Sequence, residues 1–123
     1  MTHPNFVILF VDRPEDSAVF YKKILGVDPL EVSPTFAMFA LDSGIMLGLW
    51  SKHTADPAPA TTGGGCELAI SLESDQRVDE HFARWSAAGI TILQAPVQLD
   101  FGYTCLASDL DGHRIRAFCP AEH

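Results

Sequence analysis

The sequence predicts an α+β fold made of two consecutive βαβββ modules. A short apolar run, a helical pattern and three strand-length segments follow one another in the first half, and the same order recurs in the second half. A segment rich in Gly, Pro, Ala and Thr, residues 52–65, separates the halves. An internal repeat of this length indicates repeated supersecondary units. Since 123 residues fit one domain, we expect a single domain with modules at about 5–51 and 66–119.

The first module opens with the apolar strand NFVILFV, residues 5–11. In the DRPED segment that follows, Asp12 is expected to N-cap a helix, with Pro14 in the first turn and Glu15 completing a capping box. Gly26 is expected to end this helix, because glycine readily adopts the left-handed conformation of a C′ residue. The segments PLEVS, TFAMFAL and IMLGLWS then predict three short strands, with the turn DSG before the last one.

The second module repeats this order. CELAISL, residues 66–72, predicts a strand, and Ser74 or Asp75 is expected to cap the helix that follows. Gly89 is expected to end that helix. The apolar stripe of the helix consists of Val78, Phe82 and Trp85. The segments ITILQAPVQ, YTCLAS and HRIRAFC predict the remaining strands, and DLDG predicts the turn before the last of them.

Composition restricts the possible partners. Hydrophobic residues make up 47% of the chain and charged residues 20%, which allows a packed core. A formal net charge of −8 argues against nucleic acid and anionic membranes as partners. The N-terminus has no basic segment before its apolar run, and no apolar stretch approaches the roughly 20 residues of a membrane span. Three cysteines without a CxxC spacing are typical of reduced thiols, so we expect a cytoplasmic protein.

Gly48 and Trp50 direct attention to one face of the predicted sheets. A glycine inside a strand often marks the close approach of another group, and Trp50 points the same way because strand side chains alternate. This alternation gives the face a mixed aromatic and polar set, typical of a lined cavity: Phe6, Ile8, Phe10, Met46, Gly48, Trp50, Glu67, Ala69, Ser71, Arg114, Arg116 and Phe118. The opposite face is apolar throughout and is expected to pack on the helices.

Three motifs resemble those of the vicinal-oxygen-chelate superfamily, also called the glyoxalase/bleomycin-resistance superfamily. They are FYKKILG after the first strand, AAGI after the second helix and DLDGH before the last strand. The resemblance covers residues 5–120. It implies strands that curve into an open barrel with a central cleft, and it implies a homodimer. Within the superfamily, SPTFAMFALDSGIMLGLWSKH and GGGCELAIS are similar to segments of proteins described as phenazine antibiotic resistance proteins.

The resemblance also gives the positions at which metal-dependent members carry their four ligands, on the first and last strand of each module. In this sequence they are Phe6, Gly48, Glu67 and Arg116. Phe6 and Gly48 have no donor atom, and Arg116 is a cation that would repel a divalent ion. Only Glu67 is able to ligate. We therefore expect no metal, no other cofactor and no catalytic residue.

These observations predict a metal-free binding protein that sequesters a planar aromatic antibiotic of the phenazine type and so confers resistance. The residues predicted to bind it are Trp50, Phe101, Tyr103, Phe36, Met46, Gly48, Glu67, Arg116, Phe118 and Phe10. Glu67 and Arg116 either contact the ligand or only pair with each other.

Two other functions stay open. One is an enzyme, a glyoxalase- or dioxygenase-type lyase or oxygenase with an atypical site, in which Glu67 acts as a base with a raised pKa. The other is an accessory protein of a biosynthetic gene cluster.

Overall fold

In a computed structural model, which describes residues 2–121, the chain forms two compact units that divide between Gly63 and Gly64. Unit 1 contains β1 (Phe6–Val11), α1 (Pro14–Leu25), β2 (Glu31–Val32), β3 (Phe36–Ala40) and β4 (Met46–Ser51). Unit 2 contains β5 (Glu67–Ser71), α2 (Asp75–Ala87), β6 (Thr91–Leu99), β7 (Gly102–Ser108) and β8 (Arg114–Pro120). The order within each unit is βαβββ, which confirms the predicted α+β class and the repeat.

The two sheets have the same topology. Their strand orders are β1-β4-β3-β2 and β5-β8-β7-β6. In each sheet the first and last strands of the unit pair in parallel, and the other pairs are antiparallel. The register sets Gly48 beside Ile8 and Trp50 beside Phe10. Side chains directly opposite each other share a face, so this pairing decides which residues meet.

One face of each sheet is covered by the helix of its unit. Helix α1 packs against β2, β3 and β4, and α2 packs against β6, β7 and β8. The largest fully buried side chains include Tyr21, Phe39, Leu47, Leu49, Ile115, Val11 and Val78. Val11, Leu47, Leu49 and Ile115 belong to the apolar face that alternation assigned to the helices. The other face, with Phe6 and Ile8 at 40% and 44% exposure, is left open by the helix.

The start of α1 differs from the prediction. The N-cap is Arg13, and it makes no side-chain capping hydrogen bond, so the prediction that Asp12 caps this helix is wrong. Pro14 takes the first helical position and disfavours helical geometry in the residue before it, which makes Arg13 the extended boundary residue. The Asp12 carboxylate instead contacts the His53 ring, with 2.6 Å between Oδ1 and Nε2.

The other predicted helix boundaries are confirmed. The Ser74 hydroxyl accepts a hydrogen bond from the Arg77 backbone N–H at 3.2 Å and caps α2. Gly26 ends α1 in the left-handed conformation, with φ of 72°. Neither α1, with 12 residues, nor α2, with 13, is long and apolar enough to cross a membrane.

Candidate functional site

Four aromatic side chains lie on the open face of the unit 1 sheet: Phe6, Phe10, Phe36 and Trp50. We call them the aromatic cluster. They come from the three adjacent strands β1, β4 and β3, whose register places Phe10 and Phe36 on either side of Trp50. The Phe10 and Trp50 ring centroids are 6.0 Å apart, and the ring planes are inclined by 32°. Met46, beside Phe6, extends this apolar surface along β4.

Gly48 lies beneath two of these rings. A Cβ atom at this position would be 2.9 Å from Phe6 Cε1 and 2.9 Å from Phe36 Cζ, closer than side chains normally approach. The space left by the missing side chain is therefore filled by rings of the same unit. Strand β3 carries two phenylalanines, Phe36 and Phe39. Phe39 points to the helix side and is fully buried there, so only Phe36 belongs to the aromatic cluster.

The open face of the unit 2 sheet carries charge instead. Glu67 on β5 lies between two arginines of β8, and we call Glu67, Arg114 and Arg116 the ionic cluster. Arg116 donates hydrogen bonds from Nε and Nη2 to the two carboxylate oxygens of Glu67, at 2.7 and 2.9 Å. The Nε atom of Arg114 lies 2.8 Å from Glu67 Oε2. The Arg116 pair is thus bidentate, the strongest form of such contact.

Arg116 is held on its remaining sides as well. Its Nη1 donates to the Thr104 hydroxyl at 3.1 Å and to Gln94 Oε1 at 3.4 Å. The guanidinium carbon lies 5.5 Å from the centre of the Phe101 ring, a cation–π distance. Phe101 in turn packs edge-on against Phe118 at 5.8 Å. The sequence left open whether Glu67 and Arg116 pair with each other, and the structure shows that they do.

Ion pairing moves the pKa values of both partners. The hydrogen bonds from Arg116 lower the pKa of Glu67 and outweigh the effect of burial, which would raise it. The same bonds raise the pKa of Arg116. The expectation that Glu67 has a raised pKa suited to a base is therefore wrong, because it depended on burial without a cationic partner.

Tyr103 is not brought together with either cluster. It pairs with Cys119 on the helix-facing side of the sheet, and its hydroxyl donates a 2.7 Å hydrogen bond to Asp79 of α2. That bond raises the pKa of Tyr103. Gly102 precedes it at φ of 146°, where a Cβ atom would overlap the Cys119 carbonyl. This tight turn fixes the start of β7. Phe101 before it lies beside Arg116, whereas Tyr103 after it bonds Asp79 of α2.

The residues at the four metal-ligand positions do not fit a metal. In unit 1, Phe6 and Gly48 offer no donor. In unit 2, both oxygens of Glu67 accept contacts from Arg114 and Arg116, and a guanidinium occupies the other position. Among residues 2–121, no group of three or more His, Cys, Asp or Glu side chains is arranged to hold a metal ion.

Three residues in or next to the ionic cluster are absent from the binding residues that the sequence predicts: Thr104, Gln94 and Arg114. Thr104 was detectable, because alternation along YTCLAS places it opposite Phe118 on the open face. Gln94 was not, because the pairing of β6 with β7 shifts register on either side of it. Arg114 was assigned to the right face, but its contact with Glu67 depends on side-chain direction, which a strand pattern does not give.

Comparison with known proteins agrees with this architecture. The model of the Glyoxalase/Bleomycin resistance protein/Dioxygenase superfamily matches residues 3–117. The phenazine antibiotic resistance protein EhpR of Enterobacter agglomerans is 30% identical over 122 residues, covering 97% of this chain and 92% of that protein.

Solved structures agree as well. A protein of Agrobacterium tumefaciens with a solution NMR structure is 54% identical, with a TM-score of 0.89 over 99% of this chain and 100% of that one. A glyoxalase/bleomycin resistance protein/dioxygenase from Nocardioides is 25% identical, with a TM-score of 0.83 over 99% and 85% of the two chains. The chain therefore belongs to the glyoxalase/bleomycin resistance protein/dioxygenase superfamily.

Proposed function

We propose that this protein binds a planar aromatic antibiotic of the phenazine type, without a metal and without catalysis, and confers resistance by sequestering it. The observation that carries the proposal is the aromatic cluster on an open sheet face. The relative in Enterobacter agglomerans, a phenazine antibiotic resistance protein, supports the same ligand class. Sequestration requires only tight binding and enough protein. We propose that the protein acts in this way as a cytoplasmic homodimer.

The chemistry of the aromatic cluster favours a flat ligand. Trp50 and Phe10 present rings inclined by 32°, and Trp50 is only partly buried. An aromatic ligand stacked on such a ring gains about 0.5–1.5 kcal/mol per pair beyond the burial of its apolar surface. The surrounding Met46 and Ile8 offer further apolar contact but no hydrogen bond. Stacking on this face selects flatness rather than a particular substituent.

The ionic cluster supports a role in binding rather than in acid–base catalysis. A general base must be free to accept a proton near neutral pH. Both oxygens of Glu67 are engaged by arginines, and the pKa of Glu67 is lowered. Removing a proton from a substrate would require this carboxylate to leave its bidentate partner.

Tryptophan fluorescence tests the proposal, because the chain has two tryptophans and only one lies on the open face. Trp85 is 2% exposed in the core, so quenching by an added phenazine should come from Trp50. By calorimetry, Trp50→Ala should weaken binding about 30-fold, as truncation of a buried aromatic anchor often costs 2 kcal/mol or more. Trp50→Phe, which keeps a ring, should lose less. Unchanged affinity in a folded Trp50→Ala protein would place the binding site elsewhere.

Metal content provides a separate test. Elemental analysis of protein purified without chelators should find well under one divalent ion per chain. One tightly held zinc, nickel, manganese or iron ion per chain would contradict the proposed metal-free binding.

A further inference from the structure

We infer that unit 2 contains a second ligand site, a cavity between the first turn of α2 and the turn that joins β6 to β7, and that it binds a small organic cation. The residues that line this cavity belong to neither the aromatic cluster nor the ionic cluster. They include Tyr103, which the sequence predicts to bind a ligand and which the structure separates from both clusters. The inference is independent of the proposed function.

The cavity has the size of a small-molecule site. Its volume is about 930 Å³, near the upper end of the range that such sites span. It lies where the parallel strands β5 and β8 reach their carboxyl ends. In open α/β sheets, ligands bind outside these ends of the strands. The side chains in its wall include Ser71, Asp75, Gln98, Tyr103, Cys119 and Pro120.

The equivalent end of unit 1 is covered by its own chain. After β4 the chain turns back, so that Ala55 is 8% exposed and His53 contacts Asp12, which precedes α1. After β8 the backbone N–H of Ala121 donates instead to the carbonyl of Phe101, at 2.7 Å, in the turn between β6 and β7. The described part of unit 2 therefore runs away from α2 at the point where unit 1 folds back.

The charge around the cavity is negative. Glu73 and Asp75 are part of its wall, and Asp79, one turn further along α2, accepts the hydrogen bond of the Tyr103 hydroxyl. That hydrogen bond raises the pKa of Tyr103, and the charges of Asp79 and Asp75 add to the effect. Both carboxylates thus act on the same side of the cavity. Within residues 2–121, no lysine, arginine or histidine lines it.

The positive charges nearby do not cancel these carboxylates. Arg77 lies 3.9 Å from Glu73 and 4.0 Å from Glu80, so a single guanidinium is shared between two exposed acids. The N-terminus of a helix adds only about half an elementary charge. Among the described residues, Asp75 forms no ion pair. A cationic ligand would therefore gain a carboxylate partner that the protein itself does not neutralise.

Tyr103 supplies the second element of cation recognition. Its hydroxyl is held by Asp79 at 2.7 Å, which fixes the ring in the cavity wall before a ligand arrives. The face of an aromatic ring attracts a cation. Leu72 and Pro120 add apolar surface for a carbon skeleton. A protonated amine with a compact apolar body matches this combination of groups.

Cyclohexylamine and cyclohexanol test the site, because they share one ring and differ in charge at neutral pH. The backbone amide signals of the isotope-labelled protein are followed by NMR spectroscopy while each compound is added. The amine should shift the signals of Tyr103 and Cys119 to saturation, with a Kd of about 1 mM, as expected for so small a ligand. The alcohol should bind about tenfold more weakly, since it forms no charge-assisted hydrogen bond.

Two variants separate the site from the overall charge of the chain. Asp75→Asn keeps the side-chain shape and the Ser74 cap, and it should weaken binding of the amine about tenfold. Glu31→Gln, at an exposed position on β2 of unit 1, removes the same charge and should change the affinity less than about twofold. Equal weakening in both variants would overturn the inference. Equal binding of amine and alcohol, signal shifts outside the cavity alone, or no saturable shift would overturn it as well.

Discussion

Glu67 is the residue on which the charged face of unit 2 depends. Its carboxylate is 27% exposed and contacts two arginines, while Arg116 also binds Thr104 and Gln94. Arg116→Met should lower the free energy of unfolding by about 2 kcal/mol, because it removes the bidentate partner of a largely buried carboxylate. Arg114 still compensates part of the charge, so the loss stays below that of an isolated buried ion. Denaturant unfolding measures it.

The controls for this prediction come from the same unit. Arg84→Met, on the exposed side of α2, should change the free energy of unfolding by less than about 0.5 kcal/mol. Combining Arg116→Met with Glu67→Gln should recover part of the stability, since no carboxylate is then left without its partner. Strict additivity of the two changes would show that the pair contributes nothing.

Acid should weaken the ionic cluster before it affects neutral contacts. Because the pKa of Glu67 is lowered on folding, the unfolded chain binds this proton more tightly, and protonation favours unfolding. The stabilisation is complete above the unfolded value near 4.5 and is lost as the pH falls through the folded pKa. The difference in unfolding free energy between wild type and Glu67→Gln should therefore shrink between about pH 6 and pH 3. A difference independent of pH would contradict this assignment.

The sequence could locate these residues but not their contacts. The period of two placed Glu67, Arg116 and Trp50 on open faces, because alternation depends only on backbone geometry. It could not show that the Phe6 and Phe36 rings both lie over Gly48, since that requires side-chain directions on β1 and β3. Backbone patterns thus predict which residues share a face, and packing decides which of them touch.

At the level of elements, the two helices begin in different ways. Helix α2 has a side-chain cap at Ser74, whereas α1 starts at Pro14 without one. Ser74→Ala should cost about 1 kcal/mol in unfolding free energy, the usual value for a lost N-cap hydrogen bond. Arg13→Ala, at the uncapped position, should change stability by less than about 0.5 kcal/mol. Equal losses in the two variants would show that the Ser74 hydrogen bond is not what stabilises the helix start.

Element boundaries were predictable where a single residue determines them. Gly26 and Gly89 end their helices with positive φ, as their residue type indicated. The prediction of a capping box formed by Asp12 and Glu15 is wrong, because Pro14 at the first helical position makes Arg13 the N-cap residue. Strand β6 extends through Pro96 to Leu99 at the sheet edge, with register shifts that no periodic pattern could show.

At the scale of the whole molecule, we predict a homodimer. Each sheet has two edge strands and one face that its own helix leaves open, and proteins usually protect such surfaces by pairing. Light scattering at micromolar concentration should give about twice the chain mass of 13.4 kDa. A mass of 13.4 kDa that persists on concentration would rule out a stable dimer.

The positions that correspond to metal ligands in the two units are also tied to the side chains around them. Installing four metal ligands at these positions would require changes at Phe6, Gly48 and Arg116 together. A side chain at Gly48 alone would require the Phe6 and Phe36 rings to move. An acid at position 116 alone would remove the bidentate partner of Glu67 and bring a like charge near it. Substitutions toward a four-ligand site therefore depend on their neighbours: the Phe6 and Phe36 rings must move for one, and Glu67 loses its bidentate partner in the other.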